Sequence, residues 1–291
     1  MRVILGDNPF FNVNHRAGVA NADCDSSDAE FTLRVALPVL DRVTSHSGSS
    51  FMLSDYELAP VMMRKFEENF PDRLLDLALV VPYPHAINTM VSEHGYLKAA
   101  YKLFGFDIVR FGLRALVAPI FGLRGLFAQV SKSFLTSRIK DYDSVNVKVR
   151  WICLHNIMVD LLIAHGRIDA LLAFVDSVRA LDREAVLLTQ NIPALTELIG
   201  DRDCVICGSY NILGFMTNPS RDDVVTTISK ERENLSFWAM QFLASGAVSP
   251  EEALNDEALA HFDAVLYATT KPDRLTDFLA QLENHAAHQQ S

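Results

Sequence analysis

The sequence is poor in the features that staple small folds and in the short motifs that name a reaction. Four cysteines in 291 residues, Cys24, Cys153, Cys204 and Cys207, are too few for a disulfide scaffold. Cys204 and Cys207 have CxxC spacing but lie in an apolar run that reads as a strand, where positions three apart face opposite sides. Two core cysteines are expected there rather than a redox or zinc pair. No apolar run reaches the ~20 residues of a membrane-spanning helix, and Met1-Arg2-Val3-Ile4-Leu5 lacks a signal-peptide layout, so a cytoplasmic protein is expected. HxH and HExxH are absent, which leaves any metal site without a local ligand pair. GxSxG is absent too, and no cysteine ends a strand beside a histidine, which argues against acyl-enzyme chemistry. No lysine ends a strand inside the fold, which removes the Schiff-base nucleophile of an aldolase: Lys148 precedes the fourth strand and Lys271 follows the eighth. A net charge of -10 repels nucleic acid overall, although the charge is unevenly spread, so no nucleic-acid partner is expected.

What is present is rhythm. Eight short apolar runs recur: Arg2–Gly6, Phe51–Ser54, Leu77–Val81, Arg150–Leu154, Ala185–Thr189, Cys204–Gly208, Phe237–Leu243 and Phe262–Ala268. Segments with apolar residues at three- and four-residue spacing lie between them, among them 29–43, 168–181, 221–230, 250–260 and 272–282. Continuous rather than alternating hydrophobicity suits parallel strands buried on both faces. Eight strand–helix units predict an α/β protein folded as one (β/α)8 TIM barrel over residues 1–291. A doubly wound open sheet is the alternative, disfavoured because Gly6-Asp7-Asn8-Pro9 after the first strand is not GxGxxG.

Residues 96–140 break the rhythm. They carry eight basic residues against one acid, Asp107, so this stretch is +7 while the rest of the chain is -17. The position after the third strand predicts a helical, basic-amphipathic insertion at the active-site face, in two or three short pieces because Gly105, Gly112, Gly122, Gly125 and Pro119 interrupt it. Three roles are open to it: a plain surface helix paired to the acidic body, a lid over an anionic substrate, or a peripheral contact with a membrane surface.

In a barrel the residues following each strand converge on one mouth. Asp7 and Asp55 are therefore candidates for a general base or a shared divalent metal such as Mg, with His15, His85 and His155 as acid/base partners or ligands and Tyr56 beside them. Asn8, Asn156, Asn191 and Asn211 are candidate substrate-binding side chains. Ser245, Gly246, Thr270, Lys271 and Arg274, in the loops after the last two strands, are the candidate phosphate site, because a glycine turn, hydroxyls, a cation and a helix start suit an anion.

Residues 149–283 resemble the aldo/keto reductase family. Val149-Arg150-Trp151-Ile152-Cys153-Leu154-His155-Asn156 resembles that family's fourth strand with its active-site histidine, and Ser209-Tyr210-Asn211-Ile212-Leu213 its sixth strand end. Phe242-Leu243-Ala244-Ser245-Gly246 and the run from Ala264 to Leu275 resemble its last two cofactor-holding loops. The resemblance implies a catalytic aspartate at Asp55, tyrosine at Tyr56 and histidine at His155, with NADPH as cofactor. The family's lysine at the end of strand three has no counterpart in Val81-Pro82-Tyr83-Pro84. The opening, Gly6-Asp7-Asn8-Pro9-Phe10-Phe11 through Asn14-His15, is similar to that of a set of uncharacterised bacterial barrel proteins, with Asn12 where they have glycine.

Three functions are compatible with these residues. The preferred one is a non-redox biosynthetic enzyme, a lyase, isomerase or transferase acting on a small anionic metabolite with a phosphate or diphosphate and an apolar tail such as a prenyl chain. The alternatives are an NADPH-dependent aldo/keto reductase-like oxidoreductase and a non-catalytic lipid- or partner-binding protein. Assembly as a homo-oligomer is compatible with all three.

Overall fold

A computed structural model of the chain describes residues 1–11, 29–81, 123–230 and 234–289. His15, His85, Cys24 and residues 96–122 of the expected insertion lie outside them. All eight expected strands form: β1 (Arg2–Gly6), β2 (Ser50–Ser54), β3 (Leu75–Val81), β4 (Val147–Leu154), β5 (Glu184–Thr189), β6 (Cys204–Ser209), β7 (Leu235–Met240) and β8 (Ala264–Tyr267). Each pairs in parallel with its neighbour in sequence, and β8 pairs with β1, so the sheet closes into a barrel. This is the expected (β/α)8 barrel.

The helices that alternate with the strands are α1 (Ala29–Thr44), α2 (Ala59–Asn69), α3 (Leu123–Tyr142), α4 (Asn156–Ala164), α5 (Ile168–Arg179), α6 (Ile192–Ile199), α7 (Arg221–Ile228), α8 (Pro250–Leu254) and α9 (Pro272–Gln289). The expected helix over 250–260 is split. It stops at Asn255, and a 3-10 turn over Glu257–His261 restarts after Asp256, whose carboxylate accepts from the Ala258 N–H. The strand expected over 237–243 ends at Met240, because Gln241 adopts φ 60° and leaves the extended region.

Two cores follow from strand alternation. Ile4, Met52, Trp151, Cys153, Cys207 and Trp238 point into the barrel, where the two indoles meet edge to face at 5.5 Å. Leu5, Phe51, Leu53, Leu187 and Ile206 point outward under the helices. Cys204 belongs to the outer core and Cys207 to the inner one, so the CxxC spacing joins no pair. Burial pushes the Cys207 thiol above its ordinary value, consistent with an inert core residue.

Of the insertion, residues 123–140 form most of the 20-residue helix α3, which runs through Gly125 without a break. Its C-terminal half buries Leu135, Ile139 and Tyr142. Arg138 is paired to Asp55 and Asp141, so this part of the basic segment is tied to the acidic body.

Candidate active site

The C-terminal ends of the strands enclose a cavity of about 1380 Å³. Its floor is apolar, with Met52, Val80, Leu188, Met240 and Leu266 closing the barrel below it. Asp7, Asn8, Tyr56, His155, Asn156 and Gln190 add polar groups above the floor. The wall formed by the last two loops carries Ser245, Gly246, Thr270, Lys271 and Arg274. Most of the residues expected to act together are thus brought together.

Asp7 is held by the way β1 ends. The last paired positions of β1 and β2 are Gly6 and Met52, so the Ser54 N–H has no backbone acceptor on β1 and donates to Asp7 Oδ2 at 2.6 Å. The Asp7 carbonyl accepts from the Phe10 N–H at 2.9 Å and starts a 3-10 turn, Asn8–Phe11, that folds the chain over the mouth. Only 4% of Asp7 is exposed. Burial outweighs the hydrogen bond from Ser54 and raises its pKa from 3.8 to about 6.

Tyr56 lines the same cavity, its ring 4.1 Å from that of Phe11. His155 is the N-cap of α4, where Nδ1 accepts from the Ile157 N–H at 3.2 Å, so the helix start sets the tautomer: Nδ1 is the acceptor and Nε2 carries the proton when the ring is neutral. Gln190 is fixed through its backbone on both sides. Its N–H donates to Asp160 Oδ2 at 3.2 Å and its carbonyl accepts from the Asn218 N–H at 3.1 Å.

Alternation removes Asp55 from this group. Met52 and Ser54 face inward, so Asp55 faces out, and its carboxylate accepts from the Tyr142 hydroxyl at 2.5 Å and from Arg138 at 3.3 Å on α3. The catalytic or metal-binding role expected for Asp55 therefore has no geometric support, and Asp7 and Asp55 do not converge. Among the described residues no group of three His, Cys, Asp or Glu side chains is placed to hold a metal ion. Asp55→Ala is expected to destabilise the fold by about 1–3 kcal/mol, because the hydroxyl of the buried Tyr142 loses its acceptor, while ligand affinity at the mouth stays within about twofold. Chemical denaturation and calorimetry on one preparation test both halves of that expectation.

Two candidate asparagines are also used by the fold. Asn191 Oδ1 caps α6 through the Ala194 N–H at 3.0 Å. Asn211 holds the loop after β6, donating to the Phe215 carbonyl at 2.8 Å and accepting from the Phe215 N–H at 2.9 Å. Gln190, one residue before Asn191, is the cavity residue at that strand end, and strand parity is the signal that would have selected it.

The phosphate candidates sit where the chain turns sharply. Ser245 and Gly246 adopt φ 56° and 85°, and a Cβ at Gly246 would meet nothing within 4 Å, so the turn presents its backbone to open space. Lys271 precedes the first turn of α9, with its N–H donated to Thr269 Oγ1 at 3.1 Å, and Arg274 follows one turn later. A second cavity, of about 570 Å³, lies at the opposite ends of β4–β7, but Arg150, Arg179 and Arg183 there are paired to Asp76, Asp203 and Asp143.

No protein-family model matches the chain, and no curated protein matches it. Among solved structures, a crystal structure from Pseudomonas aeruginosa of a protein provisionally described as an aldo-keto reductase matches with a TM-score of 0.56. The match covers 98% of this chain and 90% of that one at 12% identity. The likeness shows a shared (β/α)8 fold. It also corrects the preference for a lyase, isomerase or transferase, since the activity attached to that neighbour is of the oxidoreductase class, the alternative read from the sequence. Among the described residues no helix is long and apolar enough to cross a membrane.

Proposed function

We propose that the protein is an oxidoreductase of aldo/keto reductase type that reduces the carbonyl of a small molecule at the C-terminal mouth of its barrel, with NADPH as hydride donor. One observation carries this reading: a single cavity joins the polar groups Asp7, Tyr56, His155 and Gln190 above the apolar floor to the Ser245, Gly246, Thr270, Lys271 and Arg274 wall. The wall fits the phosphates of a dinucleotide. It offers a hydroxyl, an open glycine turn, two cations and the first turn of the 18-residue helix α9, whose unpaired N–H groups favour an anion. Glu252 lines the same wall, but its carboxylate is occupied as the N3 member of the Ser249 capping box.

NADPH bound there supplies hydride to a carbonyl carbon. The chain's own part is to hold the carbonyl over the floor, exclude water with Met52, Val80, Met240 and Leu266, and deliver a proton to the oxygen. The substrate contemplated is a small metabolite, with no nucleic-acid partner. Residues 1–291 act in this reading as one barrel.

Calorimetric titration of the purified protein with NADPH, with inorganic diphosphate as control, tests the reading. NADPH is expected to bind at least about tenfold tighter than diphosphate, because the floor adds apolar contacts that diphosphate cannot make. Equal affinity for the two, or no binding of either, would overturn it.

A further inference from the structure

Reduction of a carbonyl needs a proton as well as a hydride, and the cavity has one carboxyl group built for that task. Asp7 lines the mouth while almost wholly buried, and Ser54 holds its carboxyl group there, through its N–H to Oδ2 and through its side chain. We infer that Asp7 is the proton donor of the reaction, its Oδ1–H passing the proton to the carbonyl oxygen of a substrate held over the Met52, Val80 and Leu266 floor. This rests on the reductase reading above and adds to it the identity of the acid.

The step balances. The carbonyl carbon takes hydride with its electron pair from NADPH, which is oxidised to NADP+. The C=O π bond breaks toward oxygen, the Asp7 O–H bond breaks, a new O–H bond forms on the product alcohol, and the carboxylate regains a proton from solvent. A carboxyl with a pKa of about 6 suits both halves of that cycle near neutral pH, being part protonated and readily recharged.

The surroundings favour this assignment. Tyr56 faces the cavity from the end of β2, His155 from the start of α4 and Lys271 from the loop before α9. Tyr267 on β8 directs its hydroxyl to the Arg274 carbonyl at 3.3 Å, away from the reaction. Asp55 and its partners Arg138 and Tyr142 lie on the outer side of the sheet. Burial is the largest influence on Asp7, and no charged neighbour among the described residues acts on it. The run that directly follows β3, Val81-Pro82-Tyr83-Pro84, contains no lysine.

Three measurements test the inference. In the protein without cofactor, carboxyl-carbon NMR of aspartate-labelled material should show one resonance titrating near pH 6 that disappears in Asp7→Asn. With NADPH and 4-nitrobenzaldehyde, the wild-type kcat should fall about tenfold per pH unit above that pKa. Asp7→Asn should lose about 100-fold or more in kcat with its NADPH affinity retained, and Asp7→Glu should keep a measurable rate with a displaced pH profile. A missing NMR titration, or Asp7→Asn turning over within about threefold of wild type with the same profile, overturns the inference and leaves the reductase reading standing. Failure of the wild type to bind NADPH, or to oxidise it with any aldehyde offered, overturns both.

Discussion

The double variant Lys271→Ala, Arg274→Ala is expected to bind NADPH about 100-fold or more weakly than wild type. Hydrogen bonds to charged groups contribute about 1.5–3 kcal/mol each, and two such contacts to phosphate correspond to about two to four decades in affinity. Both side chains lie on the same wall, Lys271 just before α9 and Arg274 in its first turn, so one anionic ligand can reach both. Neither substitution empties a core position, so melting temperature should change little. Calorimetry in rising salt separates the outcomes: the wild-type affinity should fall steeply with ionic strength and the double variant's hardly at all. An unchanged affinity would remove the phosphate assignment and leave the cavity without a reason to prefer a dinucleotide.

Asp7→Asn is expected to stabilise the protein at pH 8 by up to about 3 kcal/mol, the free energy that corresponds to a pKa moved from 3.8 to about 6. The sign follows from the direction of the shift. The folded state binds the Asp7 proton more tightly than the unfolded chain, so the group's contribution is fully present below pH 3.8 and is lost as pH rises through about 6. Asparagine keeps an oxygen for the Ser54 N–H and never ionises, so it avoids that loss. The advantage of the variant should therefore vanish below pH 4 and grow to its full size above pH 7. Urea denaturation of both proteins at pH 4 and pH 8 reads it directly, and a variant less stable than wild type at pH 8 would show that the buried carboxylate is not under strain. Together with the loss of turnover expected above, this describes a residue kept for function at a cost in stability.

The barrel was legible because its signal is redundant. Eight apolar runs each had to form a strand buried on both faces, and an error of a few residues at β4 or β7 leaves eight parallel strands unchanged. The wall of the site was legible for a related reason: Ser245, Gly246, Thr270, Lys271 and Arg274 follow the last two strands, and strand ends of one polarity converge in a closed barrel. The polar groups above the floor were legible in part. Asp7, Tyr56 and His155 reach the cavity, whereas Asp55 and Asn191 occupy strand ends just as promising in composition and point elsewhere.

Local pattern by itself determined the number, order and parallel direction of the strands, because hydrophobic periodicity is a property of neighbouring residues along the chain. Only the tertiary structure decided which side chains share the mouth. That depends on strand parity at the last paired residue, on the 3-10 turn that folds Asp7 over Ser54, and on α3 arriving from about 80 residues away to draw Asp55 outward with Arg138 and Tyr142. It also decided the protonation of Asp7. A carboxyl group's pKa is set by the solvent it loses, and that loss exists only once the barrel has closed around it.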